Sequence, residues 1–328
     1  MSYLGPEFDQ PRPEGARRPR RGPLTVALAA LVPGALLGWL VYEAVGPDGG
    51  GSGRAVAPAA GAASSHVSPP VPSYPGQGEE RPGSAGSPAR RSPSSPSSAP
   101  AAGALKGKVV VIDPGHNPGN FRHTSEINRT VDIGTHRKEC DTTGTSTNAG
   151  YSEARFTLDV AHRLRTLLER QGATVKLTHD DGSPSWGPCV DERARIGNAA
   201  HADAAISLHA DGAAAGDRGF HVILPASVHA GAADTRRIVA PSRDLGERVA
   251  GNFLRVTGEP PSNYVGGGTG LVTRQDLGGL NLSTVPKVFI ECGNMRDSKD
   301  AASLSSGDWR QKAAEGISEG IVSFLRAS

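Results

Sequence analysis

The sequence predicts a three-layer α/β fold, with a mostly parallel central sheet and helices on both faces of that sheet. Two observations support this prediction. After Lys106, short apolar runs rich in β-branched residues alternate with longer segments of helical periodicity. Such alternation is typical of parallel sheets whose connecting helices cover both faces. In addition, side chains with acid–base chemistry follow several of the apolar runs, at the edge where such sheets bind their ligands.

The first strand is predicted over residues 108–113, "KVVVID", and the chain then enters the polar turn "PGHN". The first long helix is predicted over residues 153–171, because Phe156, Val160 and Leu164 recur at helical spacing. The same criteria predict further strands at residues 173–179, 202–210, 219–225 and 287–293, and further helices at residues 189–200, 242–257 and 309–325.

Three segments precede the predicted folded domain, residues 106–328. Residues 1–23 are rich in arginine, residues 24–42 carry no charged side chain, and residues 43–105 consist mainly of Gly, Pro, Ser and Ala. An uncharged stretch of this length spans about one bilayer, and arginines favour the cytoplasmic side. We therefore expect a cytoplasmic N-terminus, a single transmembrane signal-anchor and a disordered linker.

This organisation predicts a single-pass protein of the cell membrane whose folded domain lies on the extracellular side. A cleaved signal peptide over the same apolar stretch is the alternative, and it would give a secreted protein. From Lys106 onward the sequence has 26 Lys/Arg and 26 Asp/Glu and no basic stripe. Nucleic acid is therefore excluded as the expected partner.

Four polar residues are expected to meet at the carboxyl ends of the strands. His116 follows the first strand, His209 and Glu291 end later strands, and Glu153 begins the first long helix. Each residue alone is compatible with a structural role, such as a carboxylate at a helix start. Together they provide two imidazoles and a carboxylate for zinc, and a second carboxylate to act as general base.

The chain has three cysteines and no CxxC pair, which argues against a cysteine zinc site. Cys140 lies in the long loop before Glu153, and Cys189 directly precedes a predicted helix. We expect a Cys140–Cys189 disulfide outside the membrane, with free thiols as the alternative. Cys292 should be a reduced core residue that points away from the face of Glu291.

Four sequence blocks resemble the zinc-dependent N-acetylmuramoyl-L-alanine amidases of the Amidase_3 family, and in particular the peptidoglycan amidases of mycobacteria and other actinobacteria. The blocks are "VVVIDPGHNPGN", "GYSEARFTLDVAHRLRTLLERQGATVKLTH", "ERARIGNAAHADAAISLHADG" and "VFIECGNM", in this order. The resemblance implies one zinc ion held by His116, Glu153 and His209, and Glu291 as the catalytic carboxylate. It also implies the substrate bond, the amide between N-acetylmuramic acid and L-alanine of the peptidoglycan stem peptide.

Three further residues are candidates for supporting roles around the site or for substrate contact. Asp113 is expected to orient His116 or the turn rather than to bind metal. Asn294 and Arg274 lie close in sequence to elements that should border the cleft.

The expected partners are peptidoglycan or its muropeptide fragments, and the membrane through the N-terminal segment; the catalytic domain is expected to be monomeric. Two other functions remain open at this point. One is a catalytically inactive, peptidoglycan-binding regulator, and the other is a zinc hydrolase of a different amide.

Overall fold

The computed structural model describes residues 103–328. Its strands are β1 (Val109–Pro114), β2 (Thr130–Asp132), β3 (Arg137–Glu139), β4 (Thr174–Leu177), β5 (Ala204–Asp211), β6 (His221–Pro225), β7 (His229–Ala230), β8 (Ala233–Asp234), β9 (Leu271–Arg274) and β10 (Lys287–Asn294). Its helices are α1 (Thr124–Ile127), α2 (Glu153–Arg170), α3 (Val190–Ala199), α4 (Val239–Thr257), α5 (Gly278–Asn281), α6 (Ser298–Ser305) and α7 (Gly307–Ala327).

A six-stranded sheet in the order β4-β1-β5-β10-β6-β9 forms the centre of the described part of the chain. The strands β4, β1, β5 and β10 pair in parallel. By contrast, β6 pairs antiparallel with β10, and β9 pairs in parallel with β6. The predicted α/β class with a mostly parallel sheet is confirmed, and the sheet is mixed at one edge.

The two faces of the sheet differ in polarity because side chains alternate along each strand. On β5, Ile206 and Leu208 point into the main apolar core, which they share with residues of α2, α4 and α7. Ser207 and His209 take the intervening positions of the same strand. The free Cys292 of β10 is buried in the main core, as expected for a reduced core residue.

The opposite face carries two small apolar clusters and a polar region. Val111 and Ala205 form one cluster, against which residues of α3 pack. Ile223, Leu280 and Phe289 form the second cluster, beside α5. Helices on both faces of the sheet are thus confirmed. Since these two clusters are small, space remains between them for polar side chains.

Some elements of the structure were not predicted from the sequence. The hairpin of β2 and β3 has only three residues in each strand, mostly exposed, so it carries no apolar pattern. The short edge strand β9 and the helix α6 were also missed. The hairpin and β9 matter here because both contribute side chains to the cavity described below.

The folded part begins slightly earlier than the predicted boundary at residue 106. Leu105 is completely buried in the main core, and its backbone N–H donates to the Gln171 carbonyl at 2.9 Å. The predicted segments 1–23 and 24–42, and the linker up to residue 102, lie outside the described residues. Within residues 103–328 no helix is both long and apolar enough to cross a bilayer.

Candidate active site

Three side chains with metal-ligand chemistry meet beside the sheet: His116, Glu153 and His209. Their ligand atoms lie within 4.8 Å of one another. Glu153 Oε1 is 3.1 Å from His116 Nε2 and 3.0 Å from His209 Nδ1. The structure therefore brings together the three residues that the sequence predicted as ligands.

Local structure fixes each of these side chains. His116 lies in the turn after β1 and has a left-handed backbone, with a φ of 61°. Its neighbour Gly115 passes so close to His209 that a Cβ there would lie 2.4 Å from the imidazole ring. Glu153 is the first residue of α2, and the backbone N–H groups of Thr145 and Ala210 donate to its carboxylate.

The hydrogen-bond partners of each imidazole determine which of its two nitrogens presents a lone pair to Glu153. His116 Nδ1 lies 3.2 Å from the Thr142 carbonyl, which can only accept, so Nδ1 is the donor and Nε2 is free. His209 Nε2 lies 3.2 Å from Ser207 Oγ. Because the Ser207 hydroxyl donates to Asp113 Oδ2 at 2.9 Å, it accepts from Nε2 and leaves Nδ1 unprotonated.

This arrangement directs three acceptor atoms at one point, and such a set is stable only around a cation or a proton. Burial disfavours a charged His116, but Glu153 and Asp141 outweigh this effect and hold the pKa of His116 well above its usual value. Burial would raise the pKa of Glu153, yet His116 and His209 lower it further than burial raises it. Two imidazoles and one carboxylate are a donor set that zinc accepts.

Glu291 lies directly beside His209, its register partner on the neighbouring strand, and lines the same cavity. Its Oε2 atom is buried and has no hydrogen-bond partner among the described residues. Burial raises the pKa of Glu291 well above its usual value, and the negative charges of Asp211 and Glu153 raise it further. A carboxyl group that borders a cavity can act as a general acid or a general base.

Of the two roles predicted for Asp113, to orient His116 or the turn, a direct contact with His116 is not seen, and Asp141 takes that place. Asp141 Oδ1 lies 3.5 Å from His116 Nδ1. Asp113 instead accepts from Arg193 at 2.8 Å and from Lys287 at 3.0 Å. The strand register explains the difference, since Asp113 lies beside Ser207 on the sheet, three residues before His116 with its left-handed backbone.

Asp113 acts on the turn through Arg193, which was the second role predicted for it. The buried Arg193 guanidinium donates to Asp113, to Asp141 at 2.9 Å, and to the backbone carbonyls of Pro114 and His116 at 2.6 and 2.8 Å. Arg193, Asp141 and Ser207 were not singled out in the sequence. The one available signal was the position of Asp141 next to Cys140.

The predicted disulfide between Cys140 and Cys189 is confirmed. It joins the loop that carries Asp141 to the start of α3, the helix that carries Arg193. Cys140 and Cys189 are both buried. The disulfide therefore connects the two segments that support His116.

The two remaining candidates, Asn294 and Arg274, differ in their positions. Asn294 is fully buried, and its amide donates to the carbonyls of Ala213, Ala214 and Asp217, so it closes the loop after β5 and does not line the cavity. The pairing register of β10 with β5 is irregular between Glu291 and Asn294, and Asn294 lies outside the cavity that Glu291 lines. A contact of Asn294 with substrate is therefore not supported.

Arg274, at the end of β9, lines the cavity. Its Nε donates to Asp276 Oδ1 at 2.8 Å, and its Nη2 donates to Asp276 Oδ2. The cavity encloses about 190 Å³ and extends from the three clustered side chains over the polar face of the sheet. Since His209 and Glu291 lie before the last residues of β5 and β10, the site occupies this face as well as the carboxyl edge.

The fold and the side chains gathered on its polar face are those of a hydrolase. The family model described as N-acetylmuramoyl-L-alanine amidase, Amidase_3, matches residues 110–323, and the chain belongs to this family. An N-acetylmuramoyl-L-alanine amidase of Mycobacterium tuberculosis is 40% identical over 226 residues, which are 67% of this chain and 88% of the relative.

Solved structures of mycobacterial amidases agree with this assignment. The crystal structure of the N-acetylmuramyl-L-alanine amidase Ami1 from Mycobacterium smegmatis has a TM-score of 0.62 and 36% identity, over 68% of this chain and 99% of that one. The apo form of Ami1 from Mycobacterium abscessus has a TM-score of 0.61 and 38% identity, over 67% of this chain and 100% of that one. The predicted family is confirmed.

Proposed function

We propose that this amidase hydrolyses the bond between the lactyl group of N-acetylmuramic acid and L-alanine with one zinc ion held by His116, Glu153 and His209. The observation that carries the proposal is the convergence of His116 Nε2, Glu153 Oε1 and His209 Nδ1 within 4.8 Å, as three acceptors beside the unpartnered Glu291. When bound there, zinc supplies a Lewis acid for the scissile carbonyl and for the attacking water.

Glu291 is the general base and general acid of this proposal. In its ionised form the carboxylate takes a proton from the attacking water, and it then gives that proton to the departing alanine nitrogen. A raised pKa favours the second transfer, because the protonated carboxyl group is the form that gives a proton to the departing nitrogen. Within residues 103–328, Oε2 of Glu291 has no hydrogen-bond partner, which leaves this atom available to the reactants.

The surrounding residues hold this arrangement in place. Thr142 and Asp141 fix the ring orientation of His116, and Ser207 fixes that of His209. Partners of this type set the imidazole tautomer and raise the basicity of the ligating nitrogen. Phe289 stacks on the His209 ring with 5.3 Å between centroids and restricts it to one plane.

The proposed location is the cell-wall side of the membrane, with the catalytic domain tethered by residues 43–105 and anchored through residues 24–42. The support is the sequence, which places arginines before an uncharged apolar stretch. Fractionation of cells, followed by N-terminal sequencing of the mature protein, tests this point. Intact protein in the membrane supports the anchor, and a shortened protein in the medium supports a cleaved signal peptide.

Mass spectrometry of the reaction products tests the enzymatic proposal. The full-length protein is incubated with muramyl peptide and with intact peptidoglycan, with zinc or with a chelator, and as Glu291→Gln. We expect peptides with a free L-alanine amine, and their loss both with chelator and in the variant. The control is Glu247→Gln, at a half-exposed position on α4.

Two results would contradict the proposal. Zinc-loaded protein that binds muramyl peptide without cleaving it would indicate a peptidoglycan-binding regulator. Cleavage of a different amide would indicate another hydrolase of the same chemistry. Glu247→Gln should match the unaltered protein in every arm, because its side chain lies outside the cavity.

A further inference from the structure

Arg274 presents an unused hydrogen-bonding group to the cavity. Asp276 accepts from Nε and Nη2 of Arg274, and this two-point contact fixes the plane of the guanidinium. No described residue accepts a hydrogen bond from Nη1. The side chain is 22% exposed, so the charge is partly removed from water and is already oriented.

Lys138 adds a second positive charge on the same wall. It belongs to β3, lines the cavity, and donates from Nζ to the Asp276 carbonyl at 3.3 Å. Burial lowers the pKa of Lys138 and the charge of Arg274 lowers it further, while the carboxylates of Asp276 and Glu139 oppose this shift, so the two cations lie close together beside these carboxylates. Glu139 lies on this wall too, but it forms no ion pair within 4.0 Å with either cation among the described residues.

The order of strands indicates which part of a substrate would reach these cations. The sheet places His209 on β5, Glu291 on β10, then β6, and Arg274 on β9. Neighbouring strands are about 4.8 Å apart, so the strands of Glu291 and Arg274 are about 10 Å apart. Glu291 is the proposed donor to the leaving nitrogen. The leaving peptide therefore extends from the metal cluster past Glu291, toward Arg274.

We propose that Arg274, assisted by Lys138, binds the free carboxylate of the stem-peptide residue that follows L-alanine. This inference rests on the proposed function and deepens it, because it identifies the form of the stem peptide that the enzyme favours. A carboxylate accepts from Nη1 and pairs with both positive charges, whereas a carboxamide carries no charge and presents its own N–H donors. The enzyme thus prefers an acidic second residue over an amidated one.

The test compares muramyl tripeptides that differ in a single group. In the first, the second residue is γ-linked D-glutamate with a free carboxylate, and the third residue is amidated at its C-terminus. The second substrate has a carboxamide in place of that carboxylate. The third has the carboxamide at residue two and a free carboxylate at residue three. Separate kcat and KM values are measured for each substrate.

The chain provides a matched control for Arg274. Arg236 makes the same contact with Asp234 that Arg274 makes with Asp276, through Nε at 2.8 Å and through Nη2, but it does not line the cavity. The proteins to compare are the unaltered enzyme, Arg274→Gln, Arg274→Lys and Arg236→Gln. Thermal unfolding of each establishes that the fold is retained, and Arg274→Lys keeps the charge if Arg274→Gln does not fold.

We expect kcat/KM for the acidic second residue to exceed that for the amide by about tenfold in the unaltered enzyme, mainly through KM. This ratio falls to about one in Arg274→Gln, takes an intermediate value in Arg274→Lys and is unchanged in Arg236→Gln. In the Arg274 variants the loss of kcat/KM is larger for the acidic substrate than for the amide substrate, as for a group that contacts the carboxylate, and Arg236→Gln cleaves both substrates like the unaltered enzyme.

Other results would overturn the inference. A ratio near one in the unaltered enzyme, or an equal loss for both substrates in Arg274→Gln, would make Arg274 a structural residue. If only cleavage of the third substrate depends on Arg274, then Arg274 binds the carboxylate of the third stem residue and not that of the second. If the unaltered enzyme cleaves none of the three substrates, the proposed function is rejected. This outcome differs from every outcome that rejects only the role of Arg274.

Discussion

Asp141 and Arg193 form a buried ion pair with 2.9 Å between Oδ2 and Nη2, and the other carboxylate oxygen of Asp141 lies 3.5 Å from His116 Nδ1. Each partner is close in sequence to one cysteine of the disulfide, since Asp141 follows Cys140 and Arg193 lies one helical turn after Cys189. A covalent bond and a buried ion pair thus connect the same two segments, on which the position of His116 depends.

Substitution of Asp141 by Asn should weaken zinc binding about 10- to 100-fold, because the partner of a metal-binding imidazole sets its orientation and basicity. Competition with a chromogenic chelator measures the affinity. Asp203→Asn is the control, since Asp203 pairs with Lys108 at 3.2 Å, away from the cavity. Unchanged zinc affinity in Asp141→Asn would show that Asp141 does not support His116.

Reduction of the Cys140–Cys189 disulfide should lower the free energy of unfolding by about 4 kcal/mol, because the bond closes a loop with a sequence separation of 49 residues. Urea unfolding of the oxidised and reduced protein measures this difference. The double variant Cys140→Ser with Cys189→Ser should match the reduced protein and should not respond to reductant. Equal stability of the oxidised and reduced forms would contradict the assigned role of the bond.

His179 should make stability depend on pH in acid. Its Nε2 donates to the Pro114 carbonyl at 2.9 Å, and burial, followed by the charge of Arg193, lowers its pKa from 6.5 to about 4. Below pH 6.5 the unfolded chain binds a proton at His179 that the folded protein does not. Stability from this group is therefore complete above pH 6.5 and is lost progressively as the pH falls toward 4.

The variant His179→Asn removes this contribution, so its free energy of unfolding should fall less steeply between pH 6.5 and 4 than that of the unaltered protein. Urea titrations at half-unit pH intervals provide the comparison, and other titrating groups contribute equally to both proteins. Parallel curves would mean that His179 does not titrate with a lowered pKa.

Much of the fold could be predicted because its signals are local. The alternation along β5 places Ile206 and Leu208 in the core and Ser207 and His209 opposite, and this pattern is visible in the sequence. The antiparallel placement of β6 could not be predicted, because strand order depends on long-range pairing. The exposed hairpin of β2 and β3 was missed because it lacks an apolar pattern.

The candidate site divides in the same way. His116, Glu153, His209 and Glu291 were grouped because strand ends and helix starts share an edge of the sheet. Residues whose side chains contact distant segments of the chain have no recognisable pattern in the sequence. Arg193, for example, has the sequence context of an ordinary helix residue, and its six hydrogen bonds exist only after α3 packs under the turn.

The most direct test of the central claim is anomalous diffraction at the zinc edge from crystals of the protein grown with zinc. We predict one strong peak about 2.0–2.2 Å from His116 Nε2, His209 Nδ1 and a Glu153 oxygen. Two outcomes would contradict the account: a peak at His116 Nδ1, which faces Thr142, or a peak confined to the partly exposed group His162, Asp180 and Asp181.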